Sequence, residues 1–193
     1  MVIGGAPPVR RACDETTPMP HDVTPALALS ALNATLAQLQ PAGTALATLT
    51  TPAVSNPAWS CNTFAPLMLE MVLLRRDRPM RTRVYFADAA LPTFGDGDFV
   101  NIVLLGDPSQ LIHNVNILVD GERVYLFQAY LEQVVDVVRV FESVTFHALW
   151  HDLCAGRAGL WKRAYQGLFG VDPDQVVDTD PDAVWFQTQY VSA

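Results

Sequence analysis

Lysine is almost missing from this 193-residue chain: Lys162 is the one lysine among 12 basic residues, the rest being arginine, against 20 acidic residues and a net charge of -8. A nucleic-acid binder needs a clustered basic footprint, and an anionic membrane surface recruits polybasic patches; neither is present. Cysteine is scarce as well. Cys13, Cys61 and Cys154 are odd in number and widely spaced, which is no disulfide framework and points to a reducing compartment. Long apolar runs are missing, and none approaches the ~18 residues of a membrane span. The first twenty residues lack the apolar stretch of a secretory signal, so none is expected. The expected location is intracellular, either resident in the cytoplasm or delivered into a host cell. No Gly-x-Gly-x-x-Gly or P-loop pattern occurs, so no nucleotide is expected, nor any other cofactor. What is abundant is apolar material, half of all residues with only 17% charged. That excludes wholesale disorder and suffices for the core of one domain.

Residues 1 to 25 hold five of the 14 prolines and read as a flexible arm, with 26 to 193 as a single domain. Thr24-Pro25 has the form of an N-cap followed by proline at the first helical position. Leu29, Leu32, Leu36 and Leu39 then mark an amphipathic helix over 26–39, ended by Pro41 and Gly43. After a small, polar stretch, Phe64, Leu67, Met68, Met71 and Val72 form a second helical stripe. The period then changes. Segments 83–87, 99–105, 112–119, 123–131 and 134–141 read as strands, with glycine- and aspartate-rich turns between several of them. Asp120-Gly121 is a hairpin signal. Helices are expected over 143–153 and 158–169, stopped by Gly156 and Gly170. An acidic tail from Asp172 would be tied down by Trp185, Phe186 and Tyr190. Helices, then strands, then helices predict an α+β fold with an antiparallel sheet of four to five strands.

Two features could carry chemistry. Cys61 lies at the end of the loop Asn56-Pro57-Ala58-Trp59-Ser60, just before the second helix. A thiol there meets unpaired backbone N–H groups and the positive helix end, which favour thiolate. The bland alternative is a small buried cysteine. The second feature is His113. A two-residue Asp120-Gly121 loop would set His113 opposite Gln128, close enough for the amide carbonyl to reach the ring. Val115, Ile117, Val119, Val124 and Leu126 share that face. It is thus the core face, one that the Cys61 helix could cover, while Asn114, Asn116, Arg123, Tyr125 and Phe127 make a wetter one. A structural His–Gln hydrogen bond is the bland alternative here. Together the pieces suit a thiol whose proton passes to an imidazole held in one tautomer by Gln128. The Cys61 backbone N–H with Asn56 or Ser55 could form an oxyanion hole.

On Trp59-Ser60-Cys61 opening a helix, the His113-Asn114-Val115-Asn116-Ile117 strand and the following Leu126-Phe127-Gln128-Ala129-Tyr130, the chain resembles the papain-like cysteine hydrolases. It looks most like their compact toxin and glutamine-deamidase domains. The resemblance covers residues 55 to 131. It implies that Cys61 is the nucleophile, His113 the base and Gln128 the orienting residue, acting on amide bonds of a protein substrate by deamidation or by peptide or isopeptide cleavage. Gln128 stands where that superfamily usually has Asn or Asp, and Asn56 where it commonly has glutamine. Pro66 would clash with a helix capped by Cys61, so the cap is expected at Thr63 and the helix start at Phe64.

Two other classes of function compete. One is a non-catalytic effector or viral interaction protein on the same fold. The other is a zinc protein using His147, His151 and Cys154, which share one helix face but lack an evident fourth ligand. Asp96 and Asp98 read as turn residues, too few for a calcium loop. Oligomeric state is open.

Overall fold

The computed structural model describes residues 23–39, 60–75, 81–85, 94–106, 110–130, 135–155, 159–175 and 187–192. Helix α1 spans Pro25–Leu39 and α2 Cys61–Leu73. The strands are β1 (Arg81–Tyr85), β2 (Phe99–Gly106), β3 (Gln110–Asp120), β4 (Arg123–Phe127), β5 (Val138–Glu142) and β6 (Gln187–Ser192). Between β5 and β6 lie α3 (Ser143–Ala155) and α4 (Leu160–Phe169). The strands form one antiparallel sheet in the order β1-β6-β2-β3-β4-β5. The fold is α+β. Among the described residues its sheet carries one strand beyond the expected four to five, because the segment read as a tail supplies β6 between β1 and β2.

Local chemistry explains the helix ends. The Leu27 N–H donates to Thr24 Oγ1 at 3.3 Å, with Pro25 at the first helical position, where it sacrifices no intrahelical bond. Val23, placed by the sequence in the arm, is instead buried with α1. Gly170 ends α4 at φ 75°, a left-handed conformation that suits glycine.

Helices cover both faces of the sheet, and here one expectation fails. Helix α2 does not cover the His113 face. Phe64, Ala65 and Met68 of α2, with Leu32 and Leu36 of α1, cluster with Phe99, Leu118 and Phe127. The other face, with Val115, Ile117, Val119, Val124 and Leu126, packs under Phe146, Trp150 and Leu153 of α3 and Trp161, Leu168 and Phe169 of α4. The face expected to be wet is therefore buried over most of its length: Asn114 is 6% exposed and Asn116 and Phe127 are 0% exposed, while Tyr125 is half-buried and Arg123 exposed. The sequence reading missed this because asparagine signals water unless its partners are known.

The β3–β4 hairpin also differs in register. Asp120 pairs with Arg123, so the loop is Gly121-Glu122, not Asp120-Gly121. The next turn fixes it. Asp96 Oδ1 accepts the Gly121 N–H at 2.6 Å, and Val119 exchanges backbone bonds with Gly97 and Asp98. The shift preserves side-chain parity, so the aliphatic stripe keeps its face. Continued past the end of β4, this register would set Tyr130, not Gln128, opposite His113. The ladder ends at Asn116–Phe127, short of the expected Leu131, as the Gln128 N–H turns to Val137 O at 2.9 Å.

Candidate functional site

Cys61 is the first residue of α2, with Ser60 as N-cap. The expected start at Phe64, with Thr63 as cap, is overturned. The Thr63 and Phe64 N–H groups both bond Ser60 O, at 3.1 and 3.0 Å. Pro66 thus lies inside the helix, yet exposed. The amide it lacks would have served only the Asn62 carbonyl, in the first turn. This start leaves the Cys61 and Asn62 N–H groups to the sulfur. They are joined by the Asn114 N–H of β3, which lies free because β4 has already left the ladder. All three favour thiolate, but desolvation outweighs them and pushes the thiol above its usual range. Its side-chain contact is Asn62 Oδ1, at 3.9 Å.

His113 is fully buried. Its ring stacks on Tyr130 with centroids 3.8 Å apart and meets the edge of Phe169 at 5.0 Å. Nε2 lies 3.3 Å from Gln128 Oε1. The orientation of that amide follows from its other end, which donates to Phe169 O at 2.8 Å and Asp136 O at 3.2 Å. Only an NH₂ group can serve two carbonyls, so Oε1 faces the ring and Nε2 carries the hydrogen. Nδ1 then bears the lone pair, and it is buried with no partner. Desolvation, partly offset by the Gln128 bond, pushes the His113 pKa down to about 3, so the ring is neutral at physiological pH.

Cys61 and His113 approach the same end of β3, where it runs on past the end of β4, from opposite faces of the sheet. The body of α2 lies on one face and the His113 ring points to the other. The α2 tip brings the sulfur to the backbone N–H next along the chain from His113. No hydrogen bond joins Sγ to Nδ1. Two tyrosines complete the surroundings. The Tyr130 and Tyr165 hydroxyls form a short hydrogen bond, and both phenols are pushed up, chiefly by burial and also by the nearby Cys61 charge. Neither tyrosine was singled out from the sequence as a site residue. Tyr130 was discoverable, since the correct register, counted on past the end of β4, brings it opposite His113. Tyr165 was not, because a Trp161/Tyr165 helical pair reads as core.

Asn56 and Ser55 lie outside the described residues. His147 stacks on Phe94 at 6.2 Å, exposed His151 lies 3.5 Å from Asp152, and Cys154 is buried with its thiol pushed up to about 12 by desolvation. Among the described residues no three His, Cys, Asp or Glu side chains converge on a metal position. Asp96 and Asp98 spend carboxylate oxygens on the Gly121 and Gly95 backbone N–H groups. No helix of the described residues is long and apolar enough to cross a membrane. In comparisons with protein families, curated proteins and solved structures the chain finds no match.

Proposed function

We propose that this protein is a cysteine hydrolase acting on amide bonds of a protein substrate, with deamidation of a glutamine side chain as the reaction. One observation carries the reading: Gln128 fixes His113 with Nε2 protonated, leaving the Nδ1 lone pair unpaired one residue along β3 from the Cys61 contact. That is the tautomer a base needs to take a thiol proton. Catalytic hydrogen bonds are often long or poorly aligned before substrate binds and tighten with it.

The proton passes from Sγ to Nδ1 as sulfur attacks the carboxamide carbon. The leaving nitrogen takes that proton and departs as ammonia, leaving a thioester on Cys61. Water, deprotonated by His113, then releases the carboxylic acid and restores the thiol. With both groups desolvated, the resting pair is thiol and imidazole, so proton transfer belongs to the attack. His113 is sealed by aromatic rings, so substrate and water must enter from the Cys61 side. A carboxamide at the tip of a flexible side chain suits a one-sided approach, whereas peptide or isopeptide cleavage needs room for chain on both sides of the carbonyl.

A non-catalytic interaction protein is the second reading. The complete burial of His113, with Cys61 and His113 both held neutral, favours it. One experiment decides. Wild-type protein incubated with β-casein, a loosely folded glutamine-rich probe, releases ammonia and gives casein the mass gain of amide-to-acid conversion. Cys61→Ala abolishes both and Cys154→Ala keeps both. Equal output from wild type and Cys61→Ala would remove the hydrolase.

A further inference from the structure

The asparagines beneath α2 leave one side-chain donor unused, on the residue whose backbone N–H meets the Cys61 sulfur. Asn116 donates to Ala65 O at 2.9 Å, so the contacting atom is its nitrogen and its Oδ1 is an acceptor. Asn101 faces that Oδ1 at 2.9 Å and Val115 O at 3.2 Å, so Asn101 presents its nitrogen there. That same nitrogen lies 2.8 Å from Asn114, which must answer with Oδ1. The Asn114 NH₂ is thereby turned out of the network. It makes no hydrogen bond to the described residues, although Asn114 is 6% exposed. It is not among the sealed orphan atoms, which are His113 Nδ1, Arg139 Nη1 and Trp150 Nε1, so it keeps access to solvent. The residue that bears it also gives its backbone N–H to the Cys61 sulfur.

We propose that Asn114 Nδ2 and the Cys61 backbone N–H together bind the oxyanion formed when Cys61 attacks a carbonyl. This rests on the hydrolase reading and names a catalytic donor outside the loop upstream of the cysteine. The Cys61 N–H takes no part in the helix ladder, whose first bonds come from Thr63 and Phe64, and it meets only its own sulfur. In the attack, sulfur bonds to the carbonyl carbon, the carbonyl π pair moves to oxygen, and the two donors receive that charge. The network behind Asn114 holds the amide in place beforehand, which is what makes such a donor effective. The strand thus uses two neighbours on opposite faces: His113 takes the proton and Asn114 receives the negative charge.

The test uses p-nitrophenyl acetate, an activated ester that needs no recognition surface. Asn114→Ala lowers kcat by ~10²–10³-fold with little change in KM. Alkylation of Cys61 by iodoacetamide, which forms no oxyanion, keeps its wild-type rate. Asn114→Asp retains the Oδ1 acceptor for Asn101, and hence the network, but replaces the donor by an acceptor; its kcat falls at least as far. Wild-type kcat in either variant overturns the proposal and leaves the hydrolase standing. Parallel loss of kcat and alkylation in Asn114→Ala also overturns it, because the thiol has then been displaced. No Cys61-dependent turnover in wild type removes the hydrolase reading and this inference with it.

Discussion

Beneath α1 and α2 the sheet buries three asparagines that bond one another and the Ala65 carbonyl. Beneath α3 and α4 it buries a histidine and a glutamine, and the histidine keeps one ring nitrogen with no partner at all. Both faces are otherwise apolar and equally closed. A linked polar cluster rigidifies what it supports, here the first turns of α2 and with them the position of Cys61. An unpaired buried nitrogen costs stability and demands another account of itself. The contrast is between a linked asparagine cluster on one face and, on the other, a histidine that leaves one ring nitrogen unpaired.

Removing Gln128 should break this contrast most severely. In Gln128→Ala the His113 Nε2–H and the carbonyls of Asp136 and Phe169 all lose their partner inside a new cavity. The expected loss is about 4–5 kcal/mol in urea unfolding. A loss near that of an ordinary surface change would show that solvent already reaches this face.

Acid should act on the same face next. His113 binds a proton near pH 6.5 in the unfolded chain and only near 3 in the native one. Between those values the unfolded state holds the extra proton, so the contribution of His113 to stability is fully present above 6.5 and falls as pH drops. Urea unfolding at about pH 8 and about pH 4 should show wild type losing about 3 kcal/mol relative to His113→Phe across that interval. A pH-independent difference would mean that the ring is solvated.

The smallest effect belongs to the asparagine face. Asn116→Ala leaves Asn101 with two acceptors, Asn114 Oδ1 and Val115 O, and should cost about 1–2 kcal/mol. It should also loosen the first turns of α2, read as faster hydrogen exchange at Phe64 and Ala65. Unchanged exchange there would sever the network from the helix it is said to hold.

Parity and periodicity carried much of this into view. The stripe through Val115, Ile117 and Leu126 and the break at Gly170 follow from local rules, whereas His113 does bond Gln128 but not as the directly opposed pair that the hairpin count gave. What stayed hidden depended on distant chain. The hairpin register is decided by Asp96, 25 residues from Gly121, and a one-step error in the loop exchanged Tyr130 for Gln128 beside the ring. The burial of Asn114 and Asn116 depends on which helix lands on them. The start of α2 was misplaced because the proline rule was applied without asking which carbonyl Pro66 leaves unserved.

The order of the sheet has a consequence for how the chain assembles. The sixth strand to leave the ribosome occupies the slot between the first and second. Until β6 arrives, β1 has no partner in the sheet and β2 has a bare flank. Hairpins β2–β3 and β3–β4 can form early from near neighbours, whereas closure on the other side must bridge roughly a hundred intervening residues, the kind of pairing that slows folding. His113, and the Asn114 amide that the Cys61 sulfur meets, lie on the early half.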